Sequence, residues 1–62
     1  MRALRTITAP DGTRHRAVHY GGDFYKIQSC PPGGRWQGVG FHALRRDAAL
    51  ERLADLEAGT DA

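Results

Sequence analysis

"RAVHYGGDFYKIQ", residues 16–28, places two short β-prone runs on either side of Gly21-Gly22-Asp23. A glycine-led pair between such runs is a signal for a tight hairpin turn. A type II′ turn with Gly22 first and Asp23 second puts Tyr20 opposite Tyr25 and Val18 opposite Ile27. Directly opposed residues share a face of the sheet. That register collects Val18, Tyr20, Tyr25 and Ile27 on one side and His15, Ala17, His19, Phe24, Lys26 and Gln28 on the other. A slip by one residue scatters both sets, so this register is the expected one.

Turn signals recur on both sides of this hairpin. "PDGT" (10–13) precedes it and "PPGG" (31–34) follows it, which divides the first two-thirds of the chain into strands at about 2–9, 13–20, 24–30 and 35–41. The first hairpin has two readings. A two-residue Asp11-Gly12 loop puts Ile7 on the Val18 side, whereas a loop one residue longer puts Leu4 and Thr6 there. The period then changes. "RRDAALERLADLEAGTDA" (45–62) carries Ala49, Leu50, Leu53 and Leu56 in one helical stripe opposed by Glu51, Arg52 and Asp55. A helix over about 46–58 is expected, with Asp47 as N-cap, Gly59 as its terminating residue and 59–62 as a frayed tail.

The fold class predicted is α+β: an antiparallel meander of three to four strands with one C-terminal α-helix packed on one face, forming a single small domain over 1–62. The apolar hairpin face is the natural seat for the helix. In "RWQGVGF" (35–41) Val39 and Phe41 share one side while Trp36, Gly38 and Gly40 share the other. With Val39 and Phe41 in the core, Trp36 stands on the open face over a glycine floor, among His15, His19, Phe24 and Lys26.

Composition narrows the function classes. A chain of 62 residues has little room for an enclosed substrate cavity of roughly 300 Å³ or more, so no enzymatic activity is expected. The single Cys30 excludes an internal disulfide. No apolar run is long enough to span a membrane and no signal-peptide pattern opens the chain, which makes the expected location cytoplasmic and excludes a membrane partner. Charge is uneven: residues 1–44 carry six Lys or Arg against two Asp, and residues 45–62 carry three Arg against five carboxylates. An anionic partner is therefore expected to meet the first part of the chain.

His15, His19, Cys30 and His42 do not make a metal site, because strand residues four apart lie ~13 Å from one another and no zinc-ligand spacing is present. Neither a metal nor a cofactor is expected. Cys30 has no His–acid pair tied to it and reads as inert. "PPGGR" does not open a helix after a strand, so it is a turn and not a phosphate-cradling loop. The residues expected to contact a partner are His15, His19, Lys26, Arg35 and Trp36: a basic sheet face with an aromatic, of the kind on which rings stack and cations meet phosphate. The leading edge "RALRTIT" (2–8) also offers a pairing strand to a second copy, which leaves a homodimer open without fixing the oligomeric state.

The order of strands, then "GF" (40–41), a polar connection and "RDAALERLADLEA" (46–58) resembles the small arm-type DNA-binding domains at the amino end of tyrosine integrases and their plant Apetala-type relatives. The resemblance spans roughly residues 14–58. It implies a sheet lying in the DNA major groove with a helix behind it, and Lys26, Arg35 and Trp36 facing DNA. The chain departs from that pattern in one extra residue between Phe41 and Asp47, in lacking Thr-Lys before the helix, and in an additional first strand. Heavy use of Arg, Ala, Gly and Leu with one Lys and no Asn suits a GC-rich bacterial or phage genome, a matter of codons and not of function. The size and simplicity of the chain suit a phage or mobile-element protein. The leading expectation is a non-enzymatic module that contacts nucleic acid through the sheet face. The alternative is a phage-type protein inhibitor, anti-CRISPR-like, that binds a nucleic-acid-handling protein complex.

Overall fold

The computed structural model describes residues 3–38 and 43–59. Five strands, β1 (Ala3–Thr8), β2 (Arg14–Gly21), β3 (Phe24–Cys30), β4 (Gln37–Gly38) and β5 (Leu44–Arg45), precede one helix, α1 (Arg46–Ala58). The sheet is antiparallel in the order β1-β2-β3-β4, and β5 also pairs with β3. The two short strands share the outer edge of β3: β4 lies beside Gln28 and Ser29, β5 beside Phe24 and Tyr25. The architecture is the expected α+β meander with one helix on the sheet. Its fourth strand starts later than expected, at Gln37, so Arg35 and Trp36 belong to the connection. The inward placement of Val39 and Phe41 and the fraying of 60–62 concern positions outside the described residues.

The first hairpin takes the longer loop. Gly12 donates its N–H to the Ala9 carbonyl at 2.9 Å and has φ 90°, while Ala9 donates to Thr13 at 2.7 Å. These are the features of a turn through Pro10 and Asp11 closed by a left-handed glycine. Asp11 adds a local brace, its Oδ1 accepting the Thr13 N–H at 2.8 Å. Thr6 then pairs with Arg16, on the Val18 side. Leu4 does not stay there, because the register shifts between Ala3 and Arg5 and Leu4 packs against the core.

The second hairpin corrects the expected register. Gly21 pairs with Phe24, and Gly22 has φ 53° whereas Asp23 has no positive φ, as a type II′ turn requires. A bulge at Tyr20 follows immediately, so His19 pairs with Tyr25, Ala17 with Ile27 and Val18 with Lys26. One extra residue in β2 sends every preceding side chain of that strand to the opposite face. Ala17, His15 and His19 therefore lie on the helix side, while Val18 and Tyr20 do not.

The core forms between that side and α1. Ile7, Ala17 and Ile27 meet Ala49, Leu53 and Leu56, with Leu4, Tyr25 and Leu44 at its border. Ala17 and Ala49 are both fully buried, as is Leu53; the two alanines leave the space that Leu53 fills. Val18 is also buried, at 6% exposure, but on the opposite face. Tyr20, expected in the core, is 65% exposed.

The helix begins directly after β5, with Arg45 in an extended conformation at the N-cap position and no side-chain cap. Asp47 is not the cap; it lies in the first turn, where its charge favours the positive end of the helix dipole. Gly59 ends the helix as expected, with φ 75° and its N–H directed to the carbonyls of Asp55 and Leu56. Among the described residues, no helix is long and apolar enough to cross a membrane.

Candidate nucleic-acid interface

The face of the sheet turned away from α1 is built by alternation. Along β2 it receives Arg14, Arg16 and Val18, and along β3 Lys26, Gln28 and Cys30, each opposite its β2 partner. Thr6 and Thr8 extend it across β1, opposite Arg16 and Arg14, and Gly38 extends it across β4, opposite Gln28. None of the five strands contains an Asp or Glu. The described carboxylates sit in the two hairpin turns, at Asp11 and Asp23, or on the helix. This open face, on which Val18 and Cys30 are nevertheless buried, is thus cationic without a counter-charge among the described strand residues.

Trp36 lies on this face. The Arg16 guanidinium carbon is 4.0 Å from the centroid of its ring and that of Arg14 is 5.4 Å away. A planar guanidinium over an indole is held by the ring's quadrupole and by dispersion. Gln28 fixes Arg16 further, its Oε1 accepting the Arg16 Nε–H at 2.9 Å. Nε is thereby occupied, and among the described residues no hydrogen bond engages the terminal fork of Arg16. Arg14 is steadied by its contact with Cys30, whose Sγ accepts an Nη2–H at 3.6 Å. The Cys30 thiol donates towards the Gly34 carbonyl at 3.4 Å, tying the 31–34 turn to the end of β3.

That turn delivers Trp36. Gly34 donates to the Pro31 carbonyl at 2.9 Å. A side chain at Gly34 has no room, since a Cβ there would stand 2.6 Å from Pro31 Cγ. The chain then passes through exposed Arg35 to half-buried Trp36. At the other end of the face Lys26 folds its Nζ to 4.0 Å from the centroid of the Tyr20 ring. Arg14 and Arg16 with Trp36, and Lys26 with Tyr20, therefore form two cation–aromatic groups on one surface.

Of the residues expected at a partner site, Lys26 and Trp36 both lie on this face, at separate ends, and exposed Arg35 precedes Trp36 in the connection. His15 and His19 do not. His15 is half-buried on the helix side, its Nδ1 2.6 Å from Ser29 Oγ. His19 donates from Nε2 to the Gly22 carbonyl at 2.8 Å and meets Tyr25 edge-on, with ring centroids 5.4 Å apart. The bulge at Tyr20 removes both from the open face. It also brings Arg14 and Arg16 there, and these were missed because the expected register turned them towards the helix. The signal that finds them is the alternation Arg14-x-Arg16 itself: two guanidinium groups beneath a helix would need buried counter-charges that the strands lack.

Among the described residues no three His, Cys, Asp or Glu side chains are grouped to hold a metal ion. No family model, curated protein or solved structure matches the chain.

Proposed function

We propose that the protein is a non-enzymatic binding module whose open sheet face contacts nucleic acid. The observation that carries this reading is the pairing of Arg16 and Arg14 with Trp36 on a strand surface free of carboxylates. Cations that meet no acid of their own are available to phosphates, and phosphate contact supplies most of the affinity in such complexes. The aromatic ring adds a stacking surface. The resemblance to integrase arm-type domains points the same way.

The test is titration of labelled DNA at several salt concentrations. Three phosphate contacts, from Arg14, Arg16 and Lys26, give a slope of log affinity on log salt of about −2 for a single strand and about −2.7 for a duplex. Absence of binding at about 50 mM salt, where such contacts are strong, refutes the reading.

A second reading, an inhibitor of a nucleic-acid-handling protein complex, is favoured by the outer side of α1, where Asp47 and Glu51 are exposed; Glu57 is instead ion-paired with Arg5 of β1 at 3.3 Å. An acidic surface of this kind suits a basic protein groove. Neutralising Asp47 and Glu51 would abolish capture of that protein while leaving any DNA affinity unchanged, and the opposite pattern would exclude the inhibitor.

A further inference from the structure

The two cation–aromatic pairs limit what form of nucleic acid fits the face. Arg16 is opposite Gln28 and Lys26 is opposite Val18, so the two cations are diagonal neighbours on adjacent strands. Such neighbours are about 7–8 Å apart, somewhat less at Cβ, roughly double the 3.4 Å rise of a stacked strand. Each cation sits 4.0 Å from a ring centroid, Trp36 for Arg16 and Tyr20 for Lys26. Tyr20 is 65% exposed, so its ring is accessible to a partner. In a duplex every base face is already covered by its neighbour, so exposed Tyr20 and half-buried Trp36 gain nothing there beyond the phosphate contacts.

Resting on the reading of this face as a nucleic-acid surface, we propose that its partner is single-stranded nucleic acid with unstacked bases. Successive bases lie on the Trp36–Arg16 and Tyr20–Lys26 stations, and Arg14 engages the backbone beside the first. The bulge at Tyr20 acquires a function in this arrangement, since it places the second ring on the same face as the first.

The experiment uses the full chain with a fluorescein-labelled ten-nucleotide single strand of mixed sequence, its blunt duplex, and a polyglutamate peptide as a charge-only probe. Trp36, the single tryptophan, reports stacking directly through its own emission. The expected result is quenching of Trp36 by the single strand and tighter binding of it than of duplex or peptide. Tyr20→Ala should weaken single-strand binding by about 5- to 150-fold, the range for loss of one stacked base. Tyr20→Phe, which keeps the ring, should restore it. Because Tyr20 is exposed, neither variant threatens the core, and circular dichroism verifies that both fold. Duplex binding that is as tight as single-strand binding and indifferent to Tyr20→Ala overturns this inference while leaving a nucleic-acid surface in place. Polyglutamate binding as tightly as the strand reduces the face to a patch of charge and overturns it too. No binding of either DNA form removes the underlying reading as well.

Discussion

Ala17→Val discriminates between the two registers of the β2–β3 hairpin by the sign of its effect. In the register that places Tyr20 opposite Tyr25, Ala17 faces solvent, and a β-branched residue on an open strand face is neutral or mildly stabilising. In the structure Ala17 is fully buried in one cluster with Ala49 and Leu53, both also fully buried. Two added methyl groups have no void to enter, and overpacking of this kind costs about 1–3 kcal/mol. A domain of this size is stabilised by only a few kcal/mol, so the loss is a large fraction of the total. For domains of 60–100 residues 1 kcal/mol moves the melting temperature by about 4–8 °C. The expected fall is therefore on the order of 4–24 °C, read by thermal melting followed by circular dichroism. A melting temperature equal to or above that of the parent refutes the bulged register. It also removes Arg14 and Arg16 from the open face, and the proposed interface with them.

Two further substitutions test the site and the turn. Gln28→Ala removes the acceptor of the Arg16 Nε–H but keeps the charge, so DNA affinity should fall by about 2- to 5-fold, the worth of one partly exposed hydrogen bond. The salt slope should stay unchanged in that variant, whereas Arg16→Gln should make it shallower by about 0.7 on a single strand; identical slopes for the two variants would contradict a phosphate role for Arg16. The Asp11 carboxyl is held below its ordinary value of 3.8, chiefly because the Thr13 N–H donates to it. A lowered folded-state pKa adds stability that is present above the unfolded value and is lost as pH falls through the folded one. Asp11→Asn should therefore flatten the acid limb, with melting temperature falling less between neutral pH and about pH 2 than in the parent; an equal fall in both proteins would show that the brace contributes nothing.

How far the fold was legible follows from the kind of signal each element carries. The helix over 46–58 was readable because its stripe repeats over about two turns and Gly59 marks its end, so no single position decides it. Its N-cap was not, because pairing of Leu44 and Arg45 with β3 runs straight into Arg46 and leaves no residue free to cap. The turn at Gly22-Asp23 was readable from glycine chemistry alone. The bulge beside it was not, since Tyr20-Gly21 has no composition that separates an unpaired residue from a paired one. A period-2 pattern carries that single error along the whole of β2, which is why His15 and His19 were exchanged for Arg14 and Arg16. Lys26, on the strand without the bulge, kept its side. Trp36 was expected on the open face from its spacing to Val39 and Phe41; its observed position there rests on Arg14 and Arg16.

The same bulge links packing to binding. Without it, Val18 would lie under the helix and Ala17 outside, giving a bulkier core floor. The helix side would then also receive Arg14 and Arg16, whose charges have no carboxylate on any strand to meet them, at a desolvation cost of several kcal/mol per ion. One extra residue reverses both outcomes at once: a small residue sits below Leu53, and the guanidinium groups reach water and Trp36. The basic face is thus a consequence of how the core is closed, and deleting one residue at Tyr20-Gly21 should disrupt both together. A variant lacking Gly21 that kept the parent's melting temperature while losing DNA affinity would show instead that the two are separable, and that the bulge serves the interface alone.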